Sequence, residues 1–294
     1  MERTDIAIIG TGPGGISAAI TSKIRKKNII LYGENKVSDK VTKAHKILNY
    51  PGLPAISGKD LSAKLKEHLD QLEIPIDDKR VTMVYAMGDY FTLQLSDGSM
   101  QEATCVILST GMVQEKPLPG EDEFLGRGVS YCVTCDAMFY QDKTAAVIGY
   151  NHEAEEEADF LAELADTVYY IPMYKEEPVL KDKIKVIREK PESVFGDMQI
   201  EGLKTDEQTI PLDGVFLLRD AIAPGKLVPG LEMDGNHVKV NLKMETNLPG
   251  LYACGDITGT PYQYIKAAGQ GNVAALSAVG RLDALKRKAA ADNE

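Results

Sequence analysis

The sequence predicts an α/β protein built of two doubly wound units, the first interrupted by the second, and three stretches predict it. TDIAIIGTGPGGISAAITSKI near the start is an apolar run, a glycine turn and an alanine-rich helix pattern. TAAVIGYNHEAEEEADFL repeats that order from Thr144, and NLPGLYACGDITG from Asn247 is a return marked by proline and glycine. An apolar run that breaks at glycine and resumes with helical periodicity is how a parallel strand feeds its crossover helix. The expected fold is therefore two Rossmann-like domains of three-layer ββα build. The first domain spans residues 1–112 and 241–294, and residues 113–240 form the second.

The elements follow in order. Residues 5–9 are a buried strand, and NIILYGE supplies the next, completing a βαβ opening. VTMVYAM, FTLQLSDGS and ATCVILSTG, between 81 and 111, are short β-rich runs, the middle one closed by a Ser-Asp-Gly-Ser turn. They predict a strand meander ending at Thr110-Gly111. The second strand, turn and helix begin at Thr144. With 294 residues, 44% of them hydrophobic, the chain can bury two cores. No run of about 18 apolar residues exists to span a bilayer, and MERTDIAIIG enters a strand in place of a signal peptide, so a soluble, cytoplasmic protein is expected. Lys and Arg number 33 against 44 Asp and Glu, a net charge of -11, which argues against nucleic acid as a partner.

Two motifs carry chemistry. In Gly10-x-Gly12-x-x-Gly15 the first glycine permits a tight turn, the second lets backbone approach a pyrophosphate, and the third packs helix on strand. The helix start then aims free N–H groups and a positive dipole end at the phosphates, and Glu34 follows at about the spacing of a ribose-binding acid. Cys132-Val133-Thr134-Cys135 suits half a zinc site or a redox dithiol. Zinc needs two further ligands, yet Cys105 and Cys254 stand singly in apparently buried strands, and His45, His68, His152 and His237 are scattered. Redox chemistry is the better reading. Asp136 beside the pair is placed to protonate a departing thiolate, its alternative being a loop cap.

GTGPGG, NYPG at 49–52, ILSTG at 107–111, GRGVSYCVTCDAMFY at 126–140 and LYACGDITGTPYQYIKAAGQGNVAAL at 251–276 together resemble the low-molecular-weight, bacterial-type thioredoxin reductases. The resemblance implies FAD held by the two terminal segments as one discontinuous domain, and a homodimer. It implies Gly10, Gly12, Pro13, Gly14 and Gly15 at the pyrophosphate, Glu34 near the adenosine ribose and Asn49 near the flavin. Gly255-Asp256 would meet the ribitol, with Gln263 by the isoalloxazine; Val81, Thr110, Gly111 and Tyr262 complete the implied cofactor set. Cys135 would face the flavin while Cys132 attacks the partner disulfide. Two departures touch the flavin environment: Tyr262 stands where the family usually has Arg, and Val37-Ser38-Asp39-Lys40 where Gly-Gly-Gln is expected. Cys254 stands where Ala is more usual; it and Cys105 read as small buried hydrophobes.

The second turn departs further. It reads Gly149-x-Asn151-x-x-Ala154, so a side chain stands where backbone must meet a pyrophosphate. Pro172-Met173-Tyr174 occupies the place of the His-Arg-Arg cluster that holds the 2′-phosphate of NADPH in the family. Each lost charged hydrogen bond removes about 1.5–3 kcal/mol. Glu155, Glu156 and Glu157 add negative charge, either as repulsion or simply as favourable groups on the helix dipole. The pattern resembles the pyridine-nucleotide-independent, ferredoxin-dependent flavin thioredoxin reductases. That resemblance implies reduced ferredoxin as electron donor and thioredoxin as disulfide substrate. An NAD(P)H-dependent reductase with an atypical site, an FAD dithiol oxidase using O₂ and a non-catalytic flavoprotein are the competing readings.

Overall fold

A computed structural model describes residues 3–33, 35–112, 117–219 and 222–291, with the backbone but not the side chain of Cys135. The chain divides into two compact units: Met1–Leu95, Ser99–Met112 and Ala223–Glu294 form one, and Ser96–Gly98 with Val113–Ile222 form the other. No helix among the described residues is long and apolar enough to cross a membrane.

In the first unit, Thr4–Ile9 lies between Ile29–Tyr32 and Met100–Leu108, all parallel, with Ile76–Asp77 beyond Ile29–Tyr32. The nine-residue Met100–Leu108 strand serves two sheets' worth of partners. Its first half continues the antiparallel meander of Val81–Ala86 and Phe91–Leu95, while its second half also takes Leu251–Ala253 in parallel. The buried runs Ile6–Ile9 and Cys105–Leu108 explain why both halves read as continuous apolar sequence: helices cover this part of the sheet. Helix Pro13–Ile24 starts on a proline, whose missing N–H costs nothing at that position, and packs on Tyr264–Ala291.

The return to the first unit comes at Ala223, earlier than residue 241. Residues 223–240 fall with the first unit because the short helix Pro224–Leu227 packs on Val81–Ala86 and the hairpin strand His237–Val238 packs on Gly255–Thr258. The sequence between 223 and 240 carries no strong periodicity to announce either contact.

In the second unit, a parallel sheet runs in the order Lys185–Val186, Thr167–Pro172, Thr144–Gly149, Gly214–Leu218, Val129–Ser130. A three-stranded antiparallel sheet, Pro191–Gly196, Ile200–Thr205 and Thr209–Pro211, accompanies it. Helix Glu153–Leu164 buries Ala154, Ala158, Leu161 and Ala162 against this sheet at i, i+4, i+7 and i+8 spacing. Both units are thus doubly wound, and each presents loops at the carboxyl ends of its central strands, where such sheets bind ligands.

Candidate active site

Three neighbouring parallel strands of the first unit deliver three loops to one crest. Gly10 follows Thr4–Ile9, Ser109-Thr110-Gly111 follows Met100–Leu108, and Cys254-Gly255-Asp256 follows Leu251–Ala253. Gly10 has φ 112°, and a Cβ there would lie 2.3 Å from the Ser109 carbonyl oxygen. A Cβ at Gly15 would lie 1.8 Å from the Gly10 carbonyl oxygen, and one at Gly14 would press on Ser109 Oγ at 2.6 Å and Cys254 Sγ at 3.3 Å. Packing alone therefore demands three of the four glycines. Gly12 differs: its φ of -73° suits any residue, and a Cβ would meet no atom of the described residues within 4 Å. Packing among the described residues does not call for glycine there; a ligand approaching the helix start does. Thr110 Oγ1, on the same crest, is buried without a hydrogen-bond partner among the described residues.

The other first-unit residues gather around it. Asn49 Nδ2 donates to Gln263 Oε1 at 2.6 Å, joining the loop after Asp39–Thr42 to the start of the C-terminal helix. Gly255, at φ 84°, donates its N–H to Gln270 Oε1 at 3.0 Å, and Lys266 Nζ donates to the carbonyls of Gly255 at 2.9 Å and Gly259 at 2.5 Å. Burial raises the pKa of Asp256, against the opposing pull of Lys266 and Lys40, and burial lowers that of Lys266. In the segment that departs from Gly-Gly-Gln, Asp39–Thr42 is a short helix whose Lys40 Nζ reaches the Met112 carbonyl at 2.6 Å, beside Gly111. Tyr262 turns to His237, its hydroxyl 2.7 Å from Nε2. Val81 is buried opposite Leu95 in the meander, and Pro13 is buried at the first helical position. Glu34 lies outside the described residues. Cys105 and Cys254 are free and fully buried, with thiols pushed up to about 12 and about 11 by burial, as small core residues would be.

In the second unit, Cys132 is bonded in a disulfide and only 6% exposed. The side chain of Cys135 lies outside the described residues. Ser130 Oγ accepts the Cys132 N–H at 3.1 Å and donates to Asp136 Oδ2 at 2.6 Å, so the acid beside the motif is tied to the turn that holds the cysteine. Tyr131 donates to Glu121 Oε1 at 2.7 Å, and Arg219 grips both Glu121 oxygens at 2.8 Å. Glu121 is 1% exposed and Arg219 6% exposed. Burial opposes the Arg219 charge, and the Glu121 bonds more than offset it, leaving its pKa above the ordinary value. The Arg219 guanidinium also stands 5.1 Å from the centre of the Tyr150 ring.

The second glycine turn is closed by its own residues. Asn151 Oδ1 accepts the Ala154 N–H at 3.2 Å, taking one of the free donors at the helix start. Glu155 is buried, and its carboxylate accepts from the Tyr174 hydroxyl at 2.5 Å and the Val179 N–H at 2.9 Å, with His152 Nδ1 at 2.6 Å. Tyr170 and Tyr174 hydroxyls are 2.9 Å apart. Burial raises the pKa of Glu155, but these donors prevail and hold it below the usual carboxylate value. Glu155 is thus an internal structural acid, which neither general repulsion nor the helix dipole describes.

Against known proteins, the model of the pyridine nucleotide-disulphide oxidoreductase family matches residues 4–271. The chain belongs to that family. A thioredoxin reductase of Aquifex aeolicus is 32% identical across 93% of this chain and 91% of its own length. The crystal structure of a ferredoxin-flavin thioredoxin reductase from Clostridium acetobutylicum is 52% identical, covers 97% of this chain and 99% of its own, and superposes with a TM-score of 0.89. A thioredoxin reductase from Gloeobacter violaceus is 28% identical over 96% of this chain and 95% of its own, with a TM-score of 0.79. The chain is a flavin-dependent disulfide oxidoreductase of the thioredoxin reductase kind, and FAD is its cofactor. The open side of Gly12 and the unpartnered Thr110 hydroxyl fit that cofactor.

The sequence did not single out Ser109, Lys266 or Gln270 in the first unit, nor Ser130, Glu121, Tyr131 and Arg219 in the second, and it marked Lys40 only as part of a departure. Ser109 adjoins Thr110 and Ser130 lies two residues before Cys132, so proximity was their only signal. Glu121 and Arg219 are 98 positions apart, and no local pattern pairs them.

Proposed function

We propose that the chain reduces the disulfide of thioredoxin with electrons from reduced ferredoxin and without a pyridine nucleotide. The observation that carries this reading is the closed second turn. A dinucleotide needs the backbone of Gly149–Ala154 and the free N–H groups at the helix start. Asn151 already takes one of those N–H groups, and the buried Glu155 carboxylate, next to the turn and bonded to Tyr174, is the wrong charge for a phosphate. Tyr174 belongs to the segment that carries basic residues in NADPH-dependent relatives. The 52% identity to a ferredoxin-flavin enzyme supports the same donor.

In this reading Gly12, Gly14 and Gly15 hold the FAD pyrophosphate, Thr110 and Gly255-Asp256 meet its ribityl chain, and Asn49 with Gln263 flanks its ring. Bound FAD supplies the electron pair that reduces the Cys132–Cys135 disulfide. Two electrons and two protons turn that disulfide into a dithiol. The Cys132 thiolate attacks one sulfur of thioredoxin, forming a mixed disulfide, and the other thioredoxin sulfur leaves and takes a proton. Cys135 then attacks Cys132 Sγ, releasing reduced thioredoxin and restoring the enzyme disulfide. Asp136, oriented by Ser130, holds the proton at the departing sulfur. A cytosolic homodimer completes the reading.

Anaerobic mixing tests the donor. Reduced ferredoxin is expected to bleach the oxidised flavin and to sustain thioredoxin reduction, while NADPH and NADH leave the flavin oxidised. Saturable bleaching by NADPH would return the chain to the nicotinamide-dependent enzymes, and turnover of a small dithiol with O₂ in place of thioredoxin would make it an oxidase.

A further inference from the structure

Three carboxylates bond to residues on either side of Cys132, and one of them, Glu157, reaches there from a different helix. Asp136 is bonded to Ser130, two residues before the cysteine, and Glu121 to Tyr131, the residue before it. Glu157, reaching across from helix Glu153–Leu164, accepts the N–H of Val133, the residue after it, at 3.0 Å through Oε2. Glu121 is also held by the bidentate Arg219. The tyrosines on these elements, Tyr131 and Tyr140, have pKa values raised chiefly by burial and further by Glu121 and Asp136, respectively, so they add no charge at neutral pH.

We propose that Glu157 is a positioning and tuning residue for Cys132, placing a negative charge beside its sulfur so that the thiolate is disfavoured and the reduced pair rests as dithiol. The reason is ordinary electrostatics. The amide following a cysteine is among the groups that stabilise its thiolate, by hydrogen bond and by the positive end of the peptide dipole. Here that N–H is given to a carboxylate. The thiolate loses a donor and gains a like charge, and each change favours the protonated form. Dithiols whose thiolate is strongly stabilised are oxidising, whereas those without that help are reducing, so this placement suits a pair whose task is to give electrons away. Attack on thioredoxin then requires the proton to leave Cys132 at the moment of reaction, which is a task for Asp136, bonded to Ser130 two residues before the cysteine.

The inference rests on the reading of Cys132 as the attacking thiol, and its test uses neither ferredoxin nor thioredoxin, so the two can fail separately. In the flavin-bound Cys135→Ser protein, Cys132 is a single thiol, since Cys105 and Cys254 are buried and protonated. Its rate of alkylation by iodoacetamide as a function of pH gives its thiol pKa. Glu157→Gln keeps an oxygen for the Val133 N–H and removes only the charge. It is expected to lower the pKa by about one unit. The alkylation rate at neutral pH then rises about threefold, because tenfold more thiolate is partly offset by its lower nucleophilicity. Glu156→Gln, on the same helix turn, is expected to leave the profile in place. A Glu157→Gln midpoint that stays at the parent value or moves upward overturns the proposal and leaves Glu157 as a backbone cap; an equal shift from Glu156→Gln overturns it too, by making the effect one of overall charge.

Discussion

Residues 10–15 and 149–154 occupy equivalent places in two doubly wound units, each after the central strand and at the start of a helix. In the first, three glycines are spent on close packing and the fourth, Gly12, faces open space with the helix N–H groups ahead of it. In the second, one glycine survives the comparison. Gly149 is needed because a Cβ would meet the Tyr170 hydroxyl at 2.3 Å, while Asn151 folds its amide oxygen onto the helix start and Glu155 draws in Tyr174. The polar groups of a turn and helix start must be satisfied whether or not a ligand sits there. Here the chain has done so from its own side chains, and the strand, turn and helix survive intact.

The comparison breaks first at Gly12. Gly12→Val is expected to remove about 3–6 kcal/mol of flavin binding, two charge-assisted hydrogen bonds to phosphate at about 1.5–3 each, and the purified variant should be colourless. Its fold should survive, since none of the described residues lies within 4 Å of a Cβ there; circular dichroism checks this, and a yellow, folded Gly12→Val protein would remove the assignment of the first turn.

Arg219→Met addresses the filled side of the second turn. It leaves Glu121 buried without its cation and strips the guanidinium from the Tyr150 ring, at an expected cost of about 3–5 kcal/mol in denaturant unfolding. A second-unit transition unmoved by this change would show that the pair is dispensable.

Tyr174→Phe removes one of the donors that hold the Glu155 carboxylate, with an expected loss of about 1–3 kcal/mol. The same network predicts a pH dependence. Because the folded pKa of Glu155 lies below the ordinary glutamate value, its contribution is fully present above that ordinary value and is lost as pH falls through the folded one. The stability gap between wild type and Glu155→Gln should therefore be widest near neutrality and narrow in acid; a gap that widens below pH 4.5 contradicts the assignment.

The smallest effect sharpens the contrast most. Asn151→Gly restores the glycine of a binding turn yet should change stability by only a few tenths of a kcal/mol, and NADPH should still leave the flavin oxidised. Glu155, Tyr174 and the absence of cations in 172–174 remain in force. Prompt reduction of Asn151→Gly by NADPH would mean that a single side chain separates the two turns.

What the sequence disclosed tracks how local each feature is. Gly10 to Gly15, Cys132-x-x-Cys135 and the strands at 81–111 are runs whose spacing carries the meaning, and they are legible without a partner. The departure of the second turn from the glycine pattern was legible at Asn151 for the same reason. The bonds around it were not, because Glu155 meets Tyr174 and Val179 across 19 and 24 positions, and Glu121 meets Arg219 across 98. The run Glu155 to Glu157 looked like one feature of a helix surface. In the fold its members part company: Glu155 is buried under tyrosines and Glu157 reaches the cysteine turn.

The contact between Gly271 and Gly14 bears on how the protein is made. A Cβ at Gly271 would stand 2.0 Å from the Gly14 carbonyl oxygen, so the C-terminal helix lies directly on the first turn and closes its back. About 260 residues separate these two glycines, and a ribosome adding about 5–20 residues per second reaches the later one roughly 10–50 s after the earlier. All of Val113–Ile222 emerges in that interval. The unit bearing the Cys132 disulfide can thus be complete on the nascent chain while the first glycine turn still lacks its back wall, so that turn is among the last parts of the protein to be finished.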